Sequence, residues 1–163
     1  MCRGLMFALA VFLLGHVQGV DGAKPSSPTW QLHEIDPANI NGSAAMIDVN
    51  RDGKLDIIAG KFWYEAPTWK KHFVRDVEVI RGRNDDYSSL PLDVNEDGWT
   101  DLVSVNYRSK SLYWVEHPGQ MLDRPWQKHV IDTPGPSETG RLADVDGDGR
   151  LDVLPNGTNF AAW

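Results

Sequence analysis

Three nine-residue segments repeat one pattern and constrain this chain more than anything else in it: DVNRDGKLD from Asp48 to Asp56, DVNEDGWTD from Asp93 to Asp101, and DVDGDGRLD from Asp144 to Asp152. Each places an oxygen-bearing side chain at positions 1, 3, 5 and 9, a glycine at position 6 and a main-chain carbonyl at position 7. A hard cation of flexible geometry, such as Ca2+, takes this donor set: several carboxylate and carbonyl oxygens on a chain that turns sharply at glycine. The candidate ligands are Asp48, Asn50, Asp52, the Lys54 carbonyl and Asp56; Asp93, Asn95, Asp97, the Trp99 carbonyl and Asp101; and Asp144, Asp146, Asp148, the Arg150 carbonyl and Asp152. A plain Asx-rich turn needs only one or two such residues, whereas every donor position is filled in all three copies. The sequence after each loop (LDIIAG, TDLVSV, LDVLPN) is strand-forming, which excludes the helix-flanked loop with its position-12 glutamate.

The repeat extends beyond the loops, which start at 48, 93 and 144 and are therefore 45 and then 51 residues apart. Between them recur an apolar strand, an aromatic strand ending in glutamate (Phe62 to Glu65, Tyr113 to Glu116), a proline (Pro67, Pro118) and a WxxH element (Trp69 to His72, Trp126 to His129). A third WxxH precedes the first loop, from Trp30 to His33. The unit holds four short strands: one entering the loop (Ala44 to Ile47), one leaving it (Asp56 to Ala59), the aromatic one and the WxxH one. Short strands punctuated by Gly, Pro, Asn and Asp, with no helical period after residue 22, predict an all-β chain. A period in the forties with four strands per unit is the arithmetic of a β-propeller blade. The expected units are roughly 30–72, 73–129 and 130–163, about two and a half blades preceded by a leading strand from Trp30 to Ile35.

These loops in blade-length repeats resemble the FG-GAP/VCBS repeats of secreted bacterial proteins and of the integrin α-subunit propeller. The likeness covers about Trp30 to Trp163. It implies a propeller whose loops, between the first two strands of each blade, hold calcium through the residues named above, about three ions in all. The WYE and WxxH landmarks also resemble the propeller portion of aldos-2-ulose dehydratase, a sugar lyase.

Arg3, the apolar run Leu5 to Leu14 and small residues through Gly22 have the charged, hydrophobic and cleavage regions of a secretory signal peptide over residues 1–22. The run is too short to span a bilayer. Cys2 is the chain's single cysteine and would leave with that peptide, so no disulfide could staple the exported protein. Metal binding can take that role, because binding at a site absent from the unfolded chain becomes folding free energy. The net charge is −7, and an acidic chain without a basic cluster gives no reason to expect nucleic-acid binding.

His33, His72 and His129 recur in register with tryptophan, as Glu65 and Glu116 recur at the end of the aromatic strand, and such repetition is what structural repeats produce. A catalytic site needs convergent groups instead. His117 and the RGRNDD stretch from Arg81 to Asp86 break the repeat and are candidates for a specific surface, with a solvated loop as the simpler reading. Trp163 falls where the third aromatic strand should begin, so the chain reads as a fragment whose remaining blades, or a second copy, would complete it. Function then reads as a secreted calcium-binding module for a protein or carbohydrate ligand. The alternatives are the propeller part of a carbohydrate-active enzyme of lyase or dehydratase type, or a structural spacer in a surface protein.

Overall fold

Alternating apolar and polar residues, broken by Asx-Gly loops, fold into a series of short antiparallel strands. The computed structural model describes residues 29–163; the expected signal peptide lies outside the described residues. Strands β1 (Ala44–Ile47), β2 (Asp56–Ala59), β3 (Phe62–Glu65) and β4 (Lys70–Phe73) lie side by side in chain order. A two-stranded hairpin, β5 (Val79–Ile80) and β6 (Arg83–Asn84), separates this sheet from the next. The second sheet repeats the first with β7 (Ser88–Leu92), β8 (Asp101–Val105), β9 (Leu112–Glu116) and β10 (Gln127–Asp132), and β11 (Ser137–Ala143) with β12 (Asp152–Gly157) begins a third. These are partial propeller blades: two of four strands, a third of two, with no helix among the described residues. No helix there is long and apolar enough to cross a membrane.

In each sheet the strand entering the loop is innermost of the contacts between blades. β1 lies against β7, and β7 against β11. The Ser43 and Ser89 hydroxyls share a 2.8 Å bond, and the Gly140 amide donates to Ser88 Oγ at 3.0 Å. Gly140 has to be glycine for this approach, since a Cβ there would sit 2.8 Å from Leu90 Cδ1 and from Val105 Cγ2.

The largest apolar cluster is shared by the first two blades. Ala45, Ile47, Val49, Ile58, Trp63 and Val74 from the first pack with Leu102, Tyr113, Val115 and Trp126 from the second. Val103, Val105 and Leu112 form a second cluster with Leu90 and Val153, reaching the third. Neither blade can bury its apolar face alone, which is the physical basis of repeat architectures.

Three expectations change. No strand forms over Trp30 to Ile35, where Trp30 and Leu32 are both 92 % exposed and no strand among the described residues lies alongside. The chain then enters an Asx turn, the Ala38 amide donating to Asp36 Oδ1 at 3.0 Å. Asp36 Oδ2 accepts from Lys71 Nζ at 2.6 Å and Tyr64 Oη at 2.7 Å, and these two bonds, the lysine's foremost, hold its carboxyl below the usual range. Second, the WxxH tryptophans precede their strands: Trp126 is buried between blades, whereas Trp69 adopts φ 58° and is exposed.

The third change concerns RGRNDD. It is an ordered hairpin, with Arg81 at φ 53° and Gly82 at φ 72° making the tight connection that needs two left-handed residues. Its last two residues are buried. Asp85 caps the loop after β8, accepting the Arg108 and Ser109 amides at 2.8 Å each. Asp86 pairs with Arg75 Nη2 at 2.8 Å, both side chains almost fully buried. The Arg75 guanidinium also donates to the Gly60 carbonyl at 3.1 Å, Ser89 Oγ at 3.3 Å and the Tyr113 hydroxyl at 3.4 Å. One arginine thus bonds the β2–β3 turn of the first blade to β7 and β9 of the second.

Because a lone buried charge is far costlier than none, Arg75→Met is expected to destabilise the fold by about 3–5 kcal/mol, and Arg75→Met with Asp86→Leu by clearly less. Urea unfolding of the two variants measures this, and equal losses would contradict it.

Candidate metal centre

The three nine-residue segments are the connections between β1 and β2, β7 and β8, and β11 and β12. They fold alike because each Asx side chain finds amide donors within its own loop. The position-1 aspartate leads. Asp48 accepts the Asp52 amide at 3.0 Å and the Gly53 amide at 2.9 Å; Asp93 accepts Asp97 at 3.1 Å and Gly98 at 2.9 Å; Asp144 accepts Gly147 at 2.7 Å and Gly149 at 3.0 Å. Position 3 (Asn50, Asn95, Asp146) accepts the position-5 amide at 3.1 Å in every copy. Position 5 (Asp52, Asp97, Asp148) accepts the position-7 amide of Lys54, Trp99 or Arg150 at 2.8–2.9 Å. The position-6 glycines lie at φ 85°, 86° and 91°, where an L side chain would be strained.

Position 9 has a second task. Asp56 is fully buried, accepting the Val49 amide at 3.0 Å through one oxygen and the Ala66 amide at 2.8 Å through the other. Asp101 does the same with Val94 at 2.9 Å and His117 at 2.8 Å. Each carboxylate ties its loop to the end of the aromatic strand two elements later. Burial pushes both carboxyls up, against these amide bonds, and the loop's other aspartates push the same way. Asp152 holds only the Val145 amide, at 2.8 Å.

Among the described residues, the carboxylates that converge are those of the third loop: Asp144, Asp146 and Asp152 each offer an oxygen within 4.8 Å of the others. This group could hold a metal ion, and all-oxygen donors suit a hard cation. Asp148 stands outside it. The aspartates of the first two loops are not gathered so closely. Asp52 Oδ2 is bound by Lys54 Nζ at 2.6 Å, which holds its carboxyl below the usual range, and Asp97 Oδ2 accepts from Asn95 Nδ2 at 3.2 Å. In both loops position 9 is already bonded through both oxygens.

The aromatic and WxxH landmarks form a relay onto position 3. Asn50 Nδ2 donates to Glu65 Oε1 at 3.3 Å, Glu65 Oε2 bonds His72 Nε2 at 2.9 Å, and His72 stacks on its cross-strand partner Trp63 at 4.1 Å between ring centroids. The second blade repeats it: Asn95 to Glu116 at 3.4 Å, Glu116 to His129 at 2.7 Å, His129 on Trp114 at 4.4 Å. An aspartate in place of either asparagine would face a glutamate, which explains the amide there. The recurrent Glu and His are partners within each blade.

His117 is likewise internal, only 3 % exposed. Its Nδ1 accepts the Gly119 amide and its Nε2–H donates to the Val49 carbonyl, both at 3.0 Å, which requires the neutral ring. Burial pushes its pKa down, consistent with that tautomer. The break in the repeat at His117 was visible in sequence; its role as a bond between blades was not. An open cavity of about 430 Å³ adjoins it, lined by Asp97, Trp99, Glu116 and Met121 among others.

Asp101→Asn turns one amide-facing oxygen into a donor, so a loss of about 2–4 kcal/mol is expected even in calcium-free buffer, with a smaller loss for Asp152→Asn. Denaturant unfolding in chelator compares them; equal losses would show that the second amide bond contributes nothing.

Residues 93–154, which contain the second and third loops and the strands between them, match the family model described as an FG-GAP-like repeat. No curated protein and no solved structure matches the chain. The repeat resemblance thus holds over that segment, and the likeness to aldos-2-ulose dehydratase is not supported.

Proposed function

We infer, with an FG-GAP-like repeat over residues 93–154 as the premise, that this chain is a secreted, calcium-stabilised propeller module that presents its surface to a protein or carbohydrate partner. The observation that carries the reading is the common scaffold of the three loops, in which positions 1, 3 and 5 are held by the loop's own amides, together with the converging oxygens of Asp144, Asp146 and Asp152. The reading assigns three sites, with Asp48, Asn50, Asp52, Lys54 and Asp56 for the first, Asp93, Asn95, Asp97, Trp99 and Asp101 for the second, and Asp144, Asp146, Asp148, Arg150 and Asp152 for the third. Lysine, tryptophan and arginine would contribute their carbonyls only.

Bound calcium would supply the positive charge that lets crowded carboxylates stay together. The chain's residues do the rest. Each loop joins two neighbouring strands, so ordering it fixes their register, and the Asn–Glu–His–Trp relay carries that order to the outer strand in the first two blades. The export signal read at the N-terminus would deliver the protein to compartments whose calcium modules are tuned to affinities of about 10⁻⁴–10⁻³ M. A module stapled by ions needs no disulfide, in keeping with a chain whose single cysteine lies at position 2.

Thermal unfolding in chelator and in millimolar calcium tests the reading. A ligand at about 10 times its Kd adds about 1.4 kcal/mol per site, so three sites are expected to raise the Tm by at least about 5 °C. Magnesium at the same concentration should do much less, since it demands stricter geometry. A Tm unchanged within about a degree would rule the reading out.

A further inference from the structure

We propose that the three loops bind calcium as a coupled row, the side chain at position 4 of one loop docking on the position-7 residue of the next. The proposal rests on the calcium reading above and concerns how its sites communicate.

The contacts repeat in register. Position 4 of the first loop is Arg51, whose guanidinium carbon lies 3.5 Å from the ring centroid of Trp99, position 7 of the second loop. Arg51 Nη2 also donates to the Gly98 carbonyl, one residue earlier. Position 4 of the second loop is Glu96, and its carboxylate pairs at 3.1 Å with Arg150, position 7 of the third. Position 7 is the residue whose carbonyl the loop pattern gives to the ion. Side chains that fix position 7 therefore bear directly on a ligand of the neighbouring site.

A second path closes the circuit between the first two loops. His117 stacks on Trp99 with 4.8 Å between centroids and 12° between planes. Its Nε2–H donates to Val49, the residue after the first ligand Asp48. His117, the partner of Asp101, is thus common to both loops: its backbone amide serves the second loop and its ring serves the first.

Backbone conformation makes these side chains unusual. Arg51 and Glu96 adopt φ 58° and 59°, a left-handed region where glycine is the unstrained choice. The third loop has that choice, Gly147 at φ 80°. Local turn geometry would be better served by glycine in all three. The arginine and glutamate are accounted for by what they reach in the adjacent loop.

Coupling then follows from ordering: a loop closed on its ion presents a fixed position-4 side chain, and the next loop closes on a position 7 already held. The effect must be reciprocal between sites, and couplings of this kind typically run from about 5-fold to 150-fold in affinity. The first link should be the stronger, because Glu96 and Arg150 are 67 % and 72 % exposed and such pairs contribute little.

The amides of Gly53, Gly98 and Gly149 report on one loop each, since each donates to the position-1 aspartate of its own loop. Calcium titrations of the ¹⁵N-labelled chain, followed by NMR at these three amides, resolve the sites. Disabling the second loop with Asp97→Ala is expected to raise the calcium midpoint at Gly53 by at least about fivefold. In the Arg51→Gly background, which keeps the left-handed backbone and leaves the His117 path in place, the same substitution should shift it by clearly less. Glu96→Gly is the parallel variant for the effect of Asp97→Ala at Gly149. A Gly53 midpoint unmoved by Asp97→Ala, or one moved equally with and without Arg51, would overturn the coupling while leaving calcium binding intact. Three glycine amides that ignore millimolar calcium would overturn the calcium reading and the coupling with it.

Discussion

A buried aspartate that faces two backbone amides holds each complete blade together. Asp56 and Asp101 end their loops, start the second strand of their sheets, and capture the chain just after the third strand. Loop, second strand and third strand are joined at one carboxylate, so the register of a blade depends on a residue that a ligand pattern alone would assign to an ion. Charge-assisted bonds to amides are among the stronger ones available inside a protein. The same group therefore has a structural duty with or without a metal, and the third loop, where Asp152 keeps one amide bond, is also where the carboxylates gather.

Blades are joined by apolar packing with a few polar bonds at fixed places. Trp126, His117 and Arg75 all cross the boundary between the first two blades. The Trp126 amide donates to the Val74 carbonyl at 3.0 Å, His117 reaches Val49, and Arg75 reaches Asp86, Ser89 and Tyr113. The boundary with the third blade is made by Leu90, Val105 and Val153 around the cleft that Gly140 fills. Burial at both boundaries comes from non-local contacts, so strand order and loop order are specified together.

Much of this was legible in the sequence. The first three strands of the first blade match the residues read for the loop-entering, loop-leaving and aromatic strands, because apolar patterning and Asx-Gly punctuation are local signals. The fourth strand begins one residue after its tryptophan, since Trp69 takes φ 58° and cannot stay in a ladder. The recurrence of Glu65 with His72 and of Glu116 with His129 was also visible, and its structural meaning follows from cross-strand pairing. RGRNDD read as solvent because it is rich in charge; Asp85 and Asp86 are buried because amides and a guanidinium elsewhere in the chain await them. No local pattern encodes a partner 11 or 23 residues away.

The sequence by itself determined the all-β class, the three loops with their Asx side chains and turning glycines, and the four-strand unit, because each depends on residue type at short spacing. Tertiary structure decided which loop brings its carboxylates together, which aspartates serve as staples, and that Arg51 and Glu96 reach the neighbouring loops. Those outcomes depend on the packing of one blade against the next, which sets the distance between residues that short-range spacing leaves free.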